Sequence, residues 1–332
     1  MKKIAVLTSG GDASGMNASI RAVVRKAISE GVEVIGVKKG FSGLIAGDFI
    51  ELTSRSVGGI IKSGGTILQT SRCDEFKCEE GKVKAAEKLD EHGIEGLVAI
   101  GGSGTFIGLK DFLKYGVKVV GVPATIDNDI GLTDYTIGFD TACNTVLNAI
   151  NNIRDTASSH ERTYVVEVMG RKSGHIALAA GLAGGAESIL IPEFPIDLQS
   201  VCRKIVDGIA RGKKHSIVIV AEGVISQIDA AHSQNTSAAQ VVGDAIKART
   251  NLDTRITVLG HIQRGGAPTQ KDCIVATTLG VRATEELLSG NSGVMVGMYG
   301  EDIRVSGLKE SCEARNPINS EYYLIANILS NL

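Results

Sequence analysis

Short runs of Val, Ile, Leu and Ala recur along the chain, each closed by Gly or a polar residue and followed by a stretch of helical spacing. They fall at Ile4–Leu7, Val32–Val37, Leu97–Ile100, Val117–Val122, Tyr164–Val168, Ile217–Val220 and Ile256–Leu259. Ile217-Val218-Ile219-Val220 is apolar at every position, the pattern of a strand covered on both faces. Strands alternating with helices predict an α/β architecture with mainly parallel sheets. Sheets of this kind take ligands beyond the carboxyl ends of their strands, so the segments following the runs are where chemistry is expected. Those segments are Thr8–Asp12, Gly101–Thr105, Pro123–Asp129, Met169–Arg171, Glu222-Gly223 and Gly260–Gly266. A polar stretch at Ser226–Ala239 reads as a surface insertion, and helical apolar spacing returns after Pro317 through Leu324, Ile328 and Leu329.

At 332 residues the chain is long enough for about two domains of roughly 150 residues each. Its 35 basic and 37 acidic side chains leave a net charge of −2 and no long basic run, which removes the electrostatic case for nucleic acid or an anionic membrane as partner. Glycine is abundant, at 41 residues, while proline is scarce, at 5, which points to tight turns and not to linkers. The six cysteines are scattered with no C-x-x-C pair, as suits a reducing cytoplasm. The apolar stretch after Met1-Lys2-Lys3 is too short for a signal peptide, and no run approaches the ~20 residues of a membrane span. A cytoplasmic location is expected.

Gly10-Gly11 and Gly101-Gly102-Ser103-Gly104 sit between strand and helix, where bare backbone N–H groups approach a phosphate and the helix terminus favours its charge. A plain strand-to-helix turn would use the same glycines. Neither segment is a G-x-x-x-x-G-K-[ST] loop, and neither reads as a dinucleotide fingerprint with its ribose-binding acid. Thr125-Ile126-Asp127-Asn128-Asp129 sets two carboxylates two residues apart at a strand end, one placed to take a proton from a hydroxyl and the other to hold a metal. An Asx turn or helix cap is the simpler use of such residues. Arg72, Arg162, Arg171, Arg255 and Arg264 supply forked cations suited to phosphate, each equally at home in a surface ion pair.

Taken together, Thr8–Asp12 with Gly15-Met16-Asn17-Ala18, Pro123–Asp129, Val168–Arg171 and Leu259–Gly266 closely resemble the bacterial ATP-dependent 6-phosphofructokinase family, in order and at matching spacing. The resemblance covers nearly the whole chain, apart from the polar insertion and a divergent C-terminal stretch. It implies two Rossmann-like three-layer α/β/α domains, residues 1–138 with approximately 262–312 binding nucleotide and approximately 139–261 with 313–332 binding sugar phosphate. The implied activity is a glycolytic kinase moving the γ-phosphoryl of ATP, with Mg²⁺, to the 1-hydroxyl of fructose 6-phosphate.

Residue by residue, the resemblance makes Asp127 the base, Thr125 its neighbour, and Arg72 and Arg171 the cations on the transferring group. Gly11, Arg72, Cys73, Gly102, Ser103, Gly104 and Thr105 would hold ATP, with Asp129 and Ser103 near the metal. Thr125, Asp127, Met169, Gly170, Arg171, Glu222, His261 and Arg264 would hold the sugar phosphate, with Arg162 and Arg255 arriving from a neighbouring subunit of a homotetramer. An effector site for ADP or GDP as activator and phosphoenolpyruvate as inhibitor maps to Arg21, Arg25, Arg154, Gly185, Glu187, Arg211, Lys213, Lys214 and His215.

Some positions depart from the family pattern. Ser103 stands where the family's G-G-D-G-S loop has an aspartate, Ala124 replaces a glycine usual in ATP-dependent members, Ser14 replaces a proline, and Gly59 replaces an acidic residue at the effector site. Pyrophosphate-dependent relatives usually carry aspartate at Gly104 and lysine at Ala124, so ATP is the expected donor. Ser103 keeps open an alternative in which the chain is a weakly active or non-catalytic paralogue that binds sugar phosphate or regulates active subunits.

Overall fold

The computed structural model describes residues 1–228 and 236–330. In chain order the elements are β1 (Lys3–Ser9), α1 (Met16–Ser29), β2 (Glu33–Val37), α2 (Gly40–Ala46), β3 (Phe49–Leu52), α3 (Glu79–Glu91), β4 (Leu97–Gly101), α4 (Ser103–Phe112), β5 (Val119–Pro123) and α5 (Phe139–His160). They continue with β6 (Thr163–Val168), α6 (His175–Ala183), β7 (Ser188–Leu190), α7 (Leu198–Ala210), β8 (Ser216–Ala221), α8 (Ile225–Ile228), α9 (Ala238–Thr250) and β9 (Thr254–Val258). The last are α10 (Gln270–Leu288), β10 (Val294–Tyr299), β11 (Asp302–Gly307), α11 (Leu308–Glu313) and α12 (Ser320–Ser330). All seven apolar runs form strands, and four further strands (β3, β7, β10 and β11) join them. Part of the polar insertion, residues 229–235, lies outside the described residues.

The chain divides into two compact units, Met1–Thr141 with Arg264–Asn316 and Ala142–Gln263 with Pro317–Leu332. The first holds a seven-stranded sheet in the order β11-β10-β5-β4-β1-β2-β3. Its five inner strands run parallel, and β3 and β11 close the edges antiparallel. Ala5, Leu7, Leu97, Ala99 and Val119 turn one face of this sheet toward Phe41, Leu44, Phe76, Phe106, Phe112 and Leu308, all buried. Full burial of side chains such as Phe106 and Phe112 is worth roughly 2–3 kcal/mol each. Helices α1 and α10 pack on each other and on the sheet, so the inner strands are covered on both faces, as their continuous apolar runs require.

The second unit has a four-stranded parallel sheet in the order β7-β8-β6-β9. Helices α6 and α12 pack together and on β7, whereas α7 packs on α9 and α9 on β6 and β9. Strand β8 is buried along its whole length.

One buried carboxylate locks the end of the first unit. Asp272, fully enclosed in the first turn of α10, accepts hydrogen bonds from Gly138 N–H (2.7 Å), Tyr135 O–H (3.0 Å), Thr141 N–H (2.8 Å) and the Thr141 hydroxyl. Burial pushes this carboxyl up, while the four donors pull it back. Asp272→Ala leaves those donors unsatisfied, so we expect a loss of about 3 kcal/mol, read as a clear fall in thermal or denaturant unfolding midpoint. An unchanged midpoint would show that water replaces the carboxylate freely.

Candidate active site

In the first unit, register brings three loops side by side. Ser9 pairs with Gly101, and Gly101 with Pro123, so β1, β4 and β5 end level and their following loops emerge along one edge. The loops are stitched together: the Thr105 hydroxyl donates to the Ser9 carbonyl (3.2 Å) and Ala124 N–H to the Gly101 carbonyl (2.9 Å). Helix α4 begins at Ser103, with Gly102 as its uncharged cap, so its positive end faces the same edge. A methyl group built on Gly102 would lie 3.6 Å from Thr125 Cβ, which brings the glycine loop against the carboxylate segment.

The segment carrying Asp127 is held by its own polar neighbours. Asn128 adopts a left-handed φ of 50°, a conformation that asparagine tolerates. Its side-chain oxygen accepts from Thr136 N–H (2.9 Å) and its Nδ2 donates to the Asp134 carbonyl (3.2 Å). The Thr136 hydroxyl donates to the Thr125 carbonyl (2.6 Å), and Asn316 Nδ2 to the Asn128 carbonyl (3.1 Å). Asp127 N–H donates to the Thr125 hydroxyl (3.2 Å). These bonds fix a carboxylate that is only 4% exposed on a backbone that cannot swing away, while Asp129 stays half-buried two residues on.

Arg264 belongs to this unit too. Its guanidinium donates to the Asp12 carbonyl (3.1 Å) and crosses Gly11 so closely that a side-chain carbon there would meet Nη1 at 2.6 Å. A side chain at Gly11 would therefore displace the guanidinium from its present place. Ser14 donates from its hydroxyl to the Gly266 carbonyl (2.8 Å), which ties the loop after Arg264 to the start of α1 and accounts for a hydroxyl where the family has proline. Arg72 is exposed and Cys73 half-buried beyond the same unit's core. Ser103 is half-buried and Gly104 exposed.

The second unit builds its own cluster beyond the carboxyl end of β6. Glu222, at the end of β8, accepts from both Gly170 N–H (3.1 Å) and Arg171 N–H (2.6 Å) through one oxygen. Gly170 sits at φ 141°, and a side chain there would strike the Ser173 carbonyl at 2.3 Å. Arg171 follows with a left-handed φ of 53°, unusual for arginine and consistent with a functional constraint on its direction. Gln263, 1% exposed, links this turn to the next: its oxygen accepts from Met169 N–H (3.2 Å) and its amide donates to the Gly260 carbonyl (3.0 Å). His261 is exposed beside it. Nearby in β6, Glu167 is enclosed and its carboxyl is pushed up by burial, although it accepts from Ala239 N–H (2.8 Å) at the start of α9.

Arg162 and Arg255 lie elsewhere. Arg162 directly precedes β6 and Arg255 is the second residue of β9, at the amino ends of these strands, whereas Met169–Arg171 follow the carboxyl end of β6. Seven steps at about 3.3 Å put roughly 23 Å between Arg162 and Met169. Both arginines engage one carboxylate, Asp253, at 2.6 and 3.2 Å.

Of the expected effector residues, several gather in the second unit. Arg154 donates to the Gly184 carbonyl and to the Gly185 carbonyl (3.3 Å), and its Nη1 lies 3.4 Å from His215 Nε2. Glu187 accepts from Ile217 N–H (2.7 Å), and Gly185, Glu187 and Lys213 line a cavity of about 80 Å³ against α12. Lys214 pairs with Glu161 at 3.3 Å, and Arg211 is exposed. Arg21 and Arg25 lie one turn apart on α1 in the first unit.

Asn128, Gln263, Asp253 and Asp272 were not singled out by the sequence. The first two lie inside the motifs quoted above, where a buried amide in a polar loop is a usable signal. The other two acquire their partners only through tertiary packing.

Glycine turns at level strand ends beside an enclosed carboxylate are an arrangement suited to a phosphotransferase, the class to which the comparisons assign the chain. A family model, described as Phosphofructokinase, matches residues 3–287, and the chain belongs to that family. It is 53% identical over 331 residues to an ATP-dependent 6-phosphofructokinase of Halothermothrix orenii and 52% identical over 331 residues to one of Thermotoga neapolitana, covering 99% of this chain and 100% of each relative. Among solved structures, a phosphofructokinase of Saccharomyces cerevisiae superposes with a TM-score of 0.85 at 35% identity over 100% of this chain, which spans 47% of that longer one.

Proposed function

We propose that the chain transfers the γ-phosphoryl of ATP to the 1-hydroxyl of fructose 6-phosphate as a glycolytic 6-phosphofructokinase. The observation that carries this reading is Asp127, enclosed and immobilised at the end of β5 beside the Gly102–Thr105 turn. As the sugar oxygen bonds to the γ-phosphorus and the bond to the ADP oxygen breaks, the hydroxyl proton passes to Asp127. Arg72 and Arg171 neutralise charge spread over the transferring oxygens. Gly11, Cys73 and the α4 turn take the nucleotide, and Met169, Gly170, Glu222, His261 and Arg264 the sugar phosphate.

Among the described residues no three His, Cys, Asp or Glu side chains form a metal cluster. A Mg²⁺ ion needs no such cluster, because it commonly binds one or two protein carboxylates together with substrate phosphates and water. The oxygen donors Asp129 and Ser103 fit that role, and the ion supplies charge neutralisation at the phosphates.

The separation along β6 supports a homo-oligomer, with a tetramer the family expectation. A sugar phosphate held by Met169–Arg171 is out of reach of the same chain's Arg162 and Arg255, so these serve a neighbouring copy. The residues around Arg154, Glu187 and His215, with Arg21 and Arg25, are read as the effector site for ADP or GDP and phosphoenolpyruvate. No helix among the described residues is long and apolar enough to cross a membrane, and the reading places the enzyme in the cytoplasm. Near-complete coverage by relatives named as enzymes favours catalysis over the non-catalytic alternative.

A coupled assay with fructose 6-phosphate, supplied first with ATP and then with pyrophosphate, tests the proposal. Turnover with ATP is expected. Turnover with pyrophosphate alone would reverse the donor assignment, and none with either would restore the binding-only alternative.

A further inference from the structure

The parallel register of β6 and β9 pairs Thr163 with Thr254 and Tyr164 with Arg255. The residues just before the strands, Arg162 and Asp253, are therefore lateral neighbours, and Thr163 N–H donates to the Asp253 carbonyl at 3.2 Å. The same Asp253 oxygen, Oδ2, accepts from Arg162 Nε at 2.6 Å and pairs with Arg255 Nη2 at 3.2 Å. Two guanidiniums held this close repel one another, and a shared carboxylate offsets that repulsion. The way each arginine is gripped leaves its work intact, because the contact uses Nε of Arg162 and one terminal nitrogen of Arg255. Both terminal nitrogens of Arg162 stay outside this contact, and their fork is the part that matches a phosphate bidentately.

We propose that Asp253 is a positioning residue that assembles Arg162 and Arg255 into a single anion-binding fork for the phosphate of the sugar substrate. This rests on the reading that those two arginines bind that phosphate. The Arg162 hydrogen bond holds the Asp253 carboxyl below the ordinary carboxylate range, with Arg255 adding to the effect, which favours the charged form of the anchor. Asp253 touches neither reacting atom and acts only by directing the guanidiniums.

Steady-state kinetics of Asp253→Asn tests this, with Asp253→Glu and the double variant Arg162→Ala, Arg255→Ala alongside. The expected result is an apparent fructose 6-phosphate KM raised about tenfold in Asp253→Asn, with kcat and the ATP KM within about twofold and recovery in Asp253→Glu. Adding Asp253→Asn to the double arginine variant should change nothing further, because the group it directs is gone. Thermal unfolding of each variant separates this from general loosening, since Asp253 is about half exposed and its removal should leave the midpoint nearly unchanged. If the double arginine variant keeps an unaltered sugar-phosphate KM, the reading of those arginines falls. If that variant is impaired while Asp253→Asn has an unchanged or lower KM, Asp253 is a bystander or a competitor and the inference is overturned.

Discussion

Asp127→Asn is expected to lower kcat by about 10³-fold while leaving the apparent KM for both substrates within about threefold. Asparagine keeps the size and shape of the side chain, so the bonds that Asn128, Thr136 and Asn316 make around the loop persist. On the proposed mechanism it cannot accept the hydroxyl proton, so the transition state would lose its base while the arginines still neutralised the phosphate. Residual activity then measures what positioning alone contributes. The same variant reports on assembly. Mixed with subunits carrying Arg162→Ala and Arg255→Ala, it should regain part of the lost rate, because a hybrid brings an intact Asp127 from one chain together with intact arginines from the other. Subunit exchange without recovered activity would show that the arginines do not act on a neighbour.

The second large effect is a gain. Ser103→Asp is expected to raise kcat by roughly 100-fold, equivalent to about 2.7 kcal/mol in the transition state, with little change in the sugar-phosphate KM. Ser103 opens α4, where an added carboxylate is favoured by the helix dipole. Room exists in the flanking backbone as well: a carbon added at Gly104 would touch nothing within 4 Å, and one at Gly102 would make only ordinary contacts with Thr125 and the Ala124 carbonyl. The new carboxylate would offer the ion an oxygen ligand in addition to Asp129, so the Mg²⁺ concentration needed for half-maximal nucleotide binding should fall in parallel. A wild-type enzyme already running at the ~1–100 s⁻¹ of ordinary kinases, with Ser103→Asp neutral, would show that Asp129 and the substrate phosphates suffice.

How much of this was legible depended on whether a signal was local. The seven apolar runs announced their strands because burial on both faces leaves no polar position to interrupt them. The strands they omitted carry weaker signals. Phe49–Leu52 and Asp302–Gly307 are antiparallel edges with exposed positions, Ser188–Leu190 has three residues, and Gly297 interrupts Val294–Tyr299. At the site, glycine turns and the Thr125–Asp129 segment were visible because strand ends advertise their loops. Nothing in the sequence marks Asp253 before its strand, and only the register of β6 against β9 sets it between two arginines. Asp272 likewise carries no local signal, and its role comes from Tyr135, Gly138 and Thr141 converging on it in the fold.

The proposed placement of functional residues at both ends of β6 would have a genetic consequence. If Arg162 and Arg255 serve a neighbouring copy, as proposed, a chain altered at Arg162 would keep its own carboxyl-end residues intact and spoil the chemistry of whichever copy it adjoins, so the damage would be felt in trans. In a cell expressing two alleles, loss would then be distributed by how subunits meet and not by which allele each carries. On that proposal selection on the six-residue strand would act on the pair of subunits, with its two ends constrained by different molecules.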